Sequence, residues 1–182
     1  MKLDNDHTKE LDILFNVLAH DQIKFEKTRI NDDNFIIGCR STHIVTPNVF
    51  DFLHDLSHLI QFSDKELQTH YIEYGGRLNF NTPMVYVYNQ WCCEPETDQI
   101  SMRELETFYI QYLLENQILS LNISFEEWVD KYEVLDLFQW LPDQWIFGYK
   151  PTIEHVLNKA SKIIEKWTFD KAFSRWQAIK VM

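Results

Sequence analysis

The chain has 182 residues, 45% of them apolar and 15% aromatic, which is enough to bury one core and excludes a disordered polymer. With 17 basic against 28 acidic residues the formal charge is −11, a poor match for gripping a phosphate backbone, so no direct nucleic-acid binding is expected. No apolar run reaches the ~20 residues that span a bilayer, Met1 to Glu10 is too polar for a secretory signal, and Cys39, Cys92 and Cys93 form neither a disulfide framework nor a CxxC motif. A cytoplasmic protein with no membrane span is the expectation.

In chain order, Leu11, Leu14, Phe15 and Leu18 recur at helical spacing and predict an opening helix over Thr8 to Phe25. Phe35-Ile36-Ile37 and His43-Ile44-Val45 read as short strands or a hairpin. Thr46 and Pro47 suit a helix start, with the helix running to about Phe62. A short helix capped at Ser63-Asp64 should end near His70, Gly75-Gly76 breaks the pattern, and Val85 to Tyr88 looks like a strand. Ser101-Met102-Arg103-Glu104 has the form of a capping box and opens a helix to about Leu119. Ser124 caps a further helix through Val134, and two more helices are expected over Thr152 to Trp167 and Asp170 to Lys180. The fold class is therefore α+β, predominantly α-helical with a small β element, in one globular domain over residues 1–182.

Chemistry concentrates in the segment VFDFLHDLSHLIQF, Val49 to Phe62. His54 and His58 are four residues apart, so on a helix their imidazoles sit one turn above each other and can clamp one ion. Val49, Phe50, Phe52, Leu53, Leu56, Leu59 and Ile60 form an apolar arc that leaves both histidines outside it, on a face that meets water or lines a polar cleft. On the helix opened by Ser101, Glu104 takes the capping task and falls with Gln111 and Glu115 on the polar side. Glu106 instead lies amid Met102, Tyr109, Ile110 and Leu113, where a carboxylate needs a cation or hydrogen-bond donors. Two histidines and the carboxylate of Glu106 make the three-ligand set of a catalytic zinc or a non-haem iron(II). The alternative is that Glu106 pairs with a buried Arg40 or Arg77, or that it snorkels to water. Asp55 directly follows the first histidine, where HExxH proteins carry their general base, but its oxygens end roughly 1.5 Å nearer the backbone than a glutamate's. His70, Glu73, Glu94 and Glu96 are weaker ligand candidates, and His43 a candidate for orienting a ligand. His20-Asp21 reads as an exposed helix end, and Ser57 and Cys92-Cys93 as packing residues.

The succession of Leu11 to Asn16, Thr28-Arg29-Ile30, His54-Asp55-Leu56-Ser57-His58, a Gly75-centred segment and Leu105-Glu106 resembles the elongation factor P hydroxylase family, whose motif is HExSH with a later glutamate. The resemblance spans about the first two-thirds of the chain, and its specific part is the histidine motif. It implies His54, His58 and Glu106 as ligands, with Asp55 standing where the family has glutamate. The same residues distantly resemble zincin-like peptidases, which pair HExxH with a glutamate on a following helix. Leu53-His54-Asp55 is also similar to HD-type phosphohydrolases, but those need an all-α fold and a histidine on an earlier helix, where this chain reads as β.

Three functions follow as expectations. The first is a metal-dependent enzyme acting on a protein side chain, by analogy a hydroxylation. The second is a zinc hydrolase with Asp55 as base. The third is a non-catalytic protein that meets a protein partner through aromatics such as Trp128, Trp140 and Trp145 and holds a vestigial metal site. From Leu157 to Met182, Lys159, Lys162, Lys166, Lys171, Arg175 and Lys180 outweigh Glu165 and Asp170, most simply as solvated helix faces.

Overall fold

A computed structural model of the chain describes residues 5–20, 25–27, 35–38, 42–44, 49–61, 77–79, 98–137 and 152–179. Most of these are helical. The elements are α1 (Asn5–Leu18), β1 (Phe25–Lys27), β2 (Phe35–Gly38), β3 (Thr42–Ile44), α2 (Val49–Gln61), β4 (Arg77–Asn79), α3 (Asp98–Ile118), α4 (Phe125–Lys131), α5 (Val134–Leu137), α6 (Ile153–Lys166) and α7 (Phe169–Ala178). The opening helix stops at Leu18, and Phe25, expected as its last residue, begins β1. The four short strands pair in the order β1-β3-β2-β4. β3 runs parallel to β1 with Phe25 opposite Thr42, and β2 is antiparallel to both β3, with Ile36 opposite His43, and β4, with Ile37 opposite Leu78. The expected helix from Ser63 to His70, the Gly75-Gly76 break, the strand at Val85 to Tyr88 and the residues Trp140 and Trp145 lie outside the described residues.

Helix α3 is the centre of the helical part and packs against α1, α2, α4, α6 and α7. One core joins Leu14 and Leu18 of α1, Phe52 and Leu56 of α2, Ile110 and Leu114 of α3, and Trp176 of α7. A second lies on another side of α3, where Leu105 and Tyr109 meet Phe125 and Trp128 of α4 and Val156 and Ile163 of α6. A helix enclosed on so many sides has no single wet face. Its polar residues Glu104, Thr107, Gln111 and Glu115 are accordingly buried with the apolar ones.

Local signals set the helix ends. Ser124 caps α4 by accepting from the Glu127 amide while the Glu127 carboxylate accepts from the Ser124 amide, satisfying two donors that the first turn would leave open. The helix expected to reach Val134 is interrupted at Glu133, whose φ of 51° lies in the left-handed region, and restarts as α5. Thr168 caps α7 through the Lys171 amide. The capping box expected at Ser101 is not used. Helix α3 begins at Asp98, so Ser101 already lies within the helix and Glu104 is released for another role. No helix among the described residues is long and apolar enough to cross a membrane.

Candidate metal centre

Helix α2 carries His54 and His58 one turn apart, and its most extensive packing is against α3. The polar stripe of α3 closes over most of their face, leaving the His54 side chain 18% exposed. His58 is 2% exposed and Glu104 5%. The two imidazole Nε2 atoms lie 3.2 Å apart. The Glu104 carboxylate approaches both, with Oε2 3.6 Å from His54 Nε2 and Oε1 3.7 Å from His58 Nε2. One donor atom from each of His54, His58 and Glu104 falls within 4.8 Å of the others, a group that could hold a metal ion.

These separations are informative. A carboxylic acid hydrogen-bonded to an imidazole should sit at about 2.6–3.0 Å, and Glu104 stands clearly farther away. Ligands of a tetrahedral ion with bonds of about 2.1 Å are separated by about 3.4 Å. The imidazole nitrogens, 3.2 Å apart, and the contact of each with its nearer Glu104 oxygen, Oε2 at 3.6 Å for His54 and Oε1 at 3.7 Å for His58, lie around that spacing. The set has two nitrogens and one carboxylate oxygen, which suits zinc or iron(II) better than calcium or magnesium.

Burial controls the charge of this group. It pushes the His54 imidazole down to about 4, against an opposing bond from Gln111. It also holds His58 well below the usual value, with His54 adding to the effect. The same loss of water pushes the Glu104 carboxyl up to about 8. Without a cation the cluster is therefore neutral around neutral pH: two uncharged rings beside a protonated acid. A divalent ion reverses the preference of Glu104, because its charge favours the carboxylate.

Around the three donors the hydrogen bonds are specific. His54 Nδ1 lies 3.3 Å from Gln111 Oε1, while Gln111 Nε2 donates to the Phe50 carbonyl at 2.9 Å. His58 Nδ1 lies 3.1 Å from Thr107 Oγ1. Phe50 stacks parallel to His54, and Phe108 packs against the same ring with centroids 4.8 Å apart.

Glu106, expected as the third ligand, is used elsewhere. Its carboxylate accepts from Lys166 Nζ and Trp167 Nε1, each at 2.5 Å, and from Gln61 Nε2 at 3.0 Å. Burial alone would raise this carboxyl, but the bonds from Lys166, Trp167 and Gln61 outweigh it and hold it below the ordinary range. Among the described residues its charged partner is Lys166, at the α6–α7 junction, while Arg40 and the Arg77 side chain lie outside the described residues. Glu104 faces the two histidines instead, because two positions along a helix rotate a side chain by about 200° and turn it to another neighbour.

Other expected residues fall as follows. The side chains of Asp55 and His43 lie outside the described residues, as do His70, Glu73, Cys92, Cys93, Glu94 and Glu96. Ser57 is buried and donates to the Leu53 carbonyl at 2.7 Å, a packing role. His20, expected as an exposed helix end, is half-buried with its ring edge-on to Trp176. Trp128 is fully buried and donates through Nε1 to Glu115, so it is a core residue and not part of a partner surface. Thr107 was not among the expected site residues, and its signal was its place one turn from Glu104 on the same helix face. No family model, curated protein or solved structure matches the chain.

Proposed function

We propose that the chain is a metal-dependent enzyme whose centre is His54, His58 and Glu104, with a divalent transition ion, zinc or iron(II), as its cofactor. The observation that carries this reading is that one donor atom from each of His54, His58 and Glu104 lies within 4.8 Å of the others, with each imidazole 3.6–3.7 Å from its nearer carboxylate oxygen, too long for an acid–imidazole hydrogen bond. Three protein ligands leave further coordination positions open, which separates catalytic from structural sites. Bound there, iron(II) would supply the redox chemistry of a hydroxylation, and zinc a Lewis acid for hydrolysis.

Hydroxylation of a protein side chain stands first, on the resemblance of His54-Asp55-Leu56-Ser57-His58 to the elongation factor P hydroxylase motif. A zinc hydrolase of zincin type stands second, since the carboxylate comes from a helix following the paired histidines. In either case the two imidazoles remain neutral donors, Glu104 supplies the single negative charge, and Phe50 and Phe108 shield the His54 ring. Asp55 is the proposed general base. A protein substrate in the cytoplasm belongs to the same reading.

Metal analysis of protein purified without added metal tests it. The expected result is one equivalent of iron or zinc in the wild type and none in His58→Ala or Glu104→Ala. Iron directs assays to hydroxylation and zinc to hydrolysis, with Asp55→Asn keeping the metal and losing turnover. A wild type that neither retains nor takes up either ion leaves the non-catalytic reading in its place.

A further inference from the structure

We infer that Thr107 and Gln111 are positioning residues that hold both imidazoles in the tautomer with hydrogen on Nδ1, so that both Nε2 lone pairs face Glu104. The inference rests on the metal reading above and adds to it the residues that prepare the site.

Gln61 Nε2 donates to the Arg103 carbonyl at 2.9 Å and to Glu106 Oε2 at 3.0 Å. A carbonyl and an ionised carboxylate offer no proton, so the amide of Gln61 has one orientation, with Oε1 towards Thr107 at 3.2 Å. The Thr107 hydroxyl has a single proton and two acceptors for it, Gln61 Oε1 and the Arg103 carbonyl at 3.0 Å. Giving that proton to His58 instead would leave the hydroxyl oxygen against two acceptor oxygens, at 3.0 and 3.2 Å, with no proton in either contact. The remaining lone pair of Thr107 therefore meets His58 Nδ1 at 3.1 Å, and that nitrogen must carry hydrogen.

The same logic holds independently at His54. The Phe50 carbonyl takes a proton from Gln111 Nε2, which leaves Gln111 Oε1 facing His54 Nδ1 and needing a donor there. A neutral imidazole has one N–H. With both hydrogens on Nδ1, the two Nε2 atoms face each other as bare lone pairs at 3.2 Å. That arrangement is repulsive alone and favourable around a cation. Ligand histidines are commonly held in this way by a partner on the second nitrogen. Glu106 enters at one remove, because it orients Gln61, which directs Thr107.

Two measurements test the inference. In metal-free wild type at neutral pH, long-range ¹H–¹⁵N spectra should show His54 and His58 protonated on Nδ1 and bare on Nε2. Protonation of either ring on Nε2 overturns the inference, and this readout needs neither a variant nor a metal. Titration of Zn²⁺ against a competing chelator should show Thr107→Val and Gln111→Leu each binding about 10–100-fold more weakly. Thr107→Ser, which keeps the oxygen, should bind like the wild type. Unchanged Zn²⁺ affinity in both Thr107→Val and Gln111→Leu also overturns it. A wild type with the stated tautomers that binds no Zn²⁺ would instead reject the metal reading and leave the tautomer assignment standing.

Discussion

Glu104 and Glu106 are two residues apart on one helix and live in opposite electrostatic worlds. Glu104 sits near two neutral imidazoles, and burial pushes its carboxyl up to about 8. Glu106 receives three donors, one from the ammonium of Lys166, and is held below the usual carboxylate value. The second is paired with a cation, and the first would gain one in the proposed metal site.

Parallel substitutions should separate these roles. Glu104→Gln is expected to weaken Zn²⁺ binding by at least ~100-fold. Glu106→Gln should keep one equivalent with affinity within a few-fold, and lower stability by about 1–2 kcal/mol, since Lys166 is largely exposed and its ion pair is screened. Isothermal titration and urea unfolding of both variants decide the matter, and the reverse pattern would restore Glu106 as the ligand.

Stability of the metal-free protein should depend on pH through the same cluster. The unfolded chain protonates its histidines near 6.5, whereas folded His54 resists protonation down to about 4, so stability is lost as pH falls below 6.5. Unfolded glutamate ionises near 4.5, whereas folded Glu104 keeps its proton to about 8, so stability is also lost as pH rises above that lower value, until the folded group ionises too. With His58 shifted in the same direction as His54, the two histidines outweigh the one acid below 6.5. The combined contribution of the cluster is greatest near 6.5. Saturating Zn²⁺ should remove the alkaline loss and release about one proton per ion at neutral pH. Urea midpoints across pH, with and without Zn²⁺, and proton release in two buffers of different ionisation heat check both statements. Identical pH profiles with and without the ion would count against them.

At the other end of α3, Glu115 is 1% exposed and accepts from Trp128 Nε1 at 2.9 Å, from the Tyr132 hydroxyl and from Lys131. Glu115→Ala leaves the buried Trp128 N–H without its acceptor and should destabilise by about 3 kcal/mol. Metal stoichiometry should not change. A stability change under ~1 kcal/mol in urea would show that water replaces the carboxylate there.

Trp176 of α7 donates to the Leu18 carbonyl at the end of α1 with a 2.6 Å bond, linking chain positions 158 residues apart. Trp176→Phe should cost about 2–3 kcal/mol from the lost bond and the smaller ring. Denaturant unfolding measures it, and a loss confined to α1 would appear as early amide exchange at Leu14 to Leu18.

Sequence patterns located α2 and its two histidines well, because a four-residue spacing and a broad apolar arc both follow from helical geometry. They pointed to Glu106 and not to Glu104, the acid that lies beside the two histidines, for an identifiable reason. Ser101 and Glu104 have the spacing of a capping box, and Glu104, Gln111 and Glu115 fall on what an amphipathic helix would show to solvent. Helix α3 is not amphipathic in that sense, because five other helices surround it. Its polar stripe faces inward to α2 and α4, and the apolar position of Glu106 is a junction where Lys166 and Trp167 reach in. A clue was present in the stripe itself. Thr107 and Gln111, which cannot be ionised, occupy places where a wet helix face usually carries lysine or arginine.

Because the histidines belong to α2 and the acid to α3, the donor set exists at only one register of the two helices. Sliding α3 past α2 by a single residue, an axial step of about 1.5 Å, would carry Glu104 out of coordinating range. Ion occupancy would then act as a vernier between the two rods, and any ligand or lesion that displaces one of them would be read out as loss of the ion.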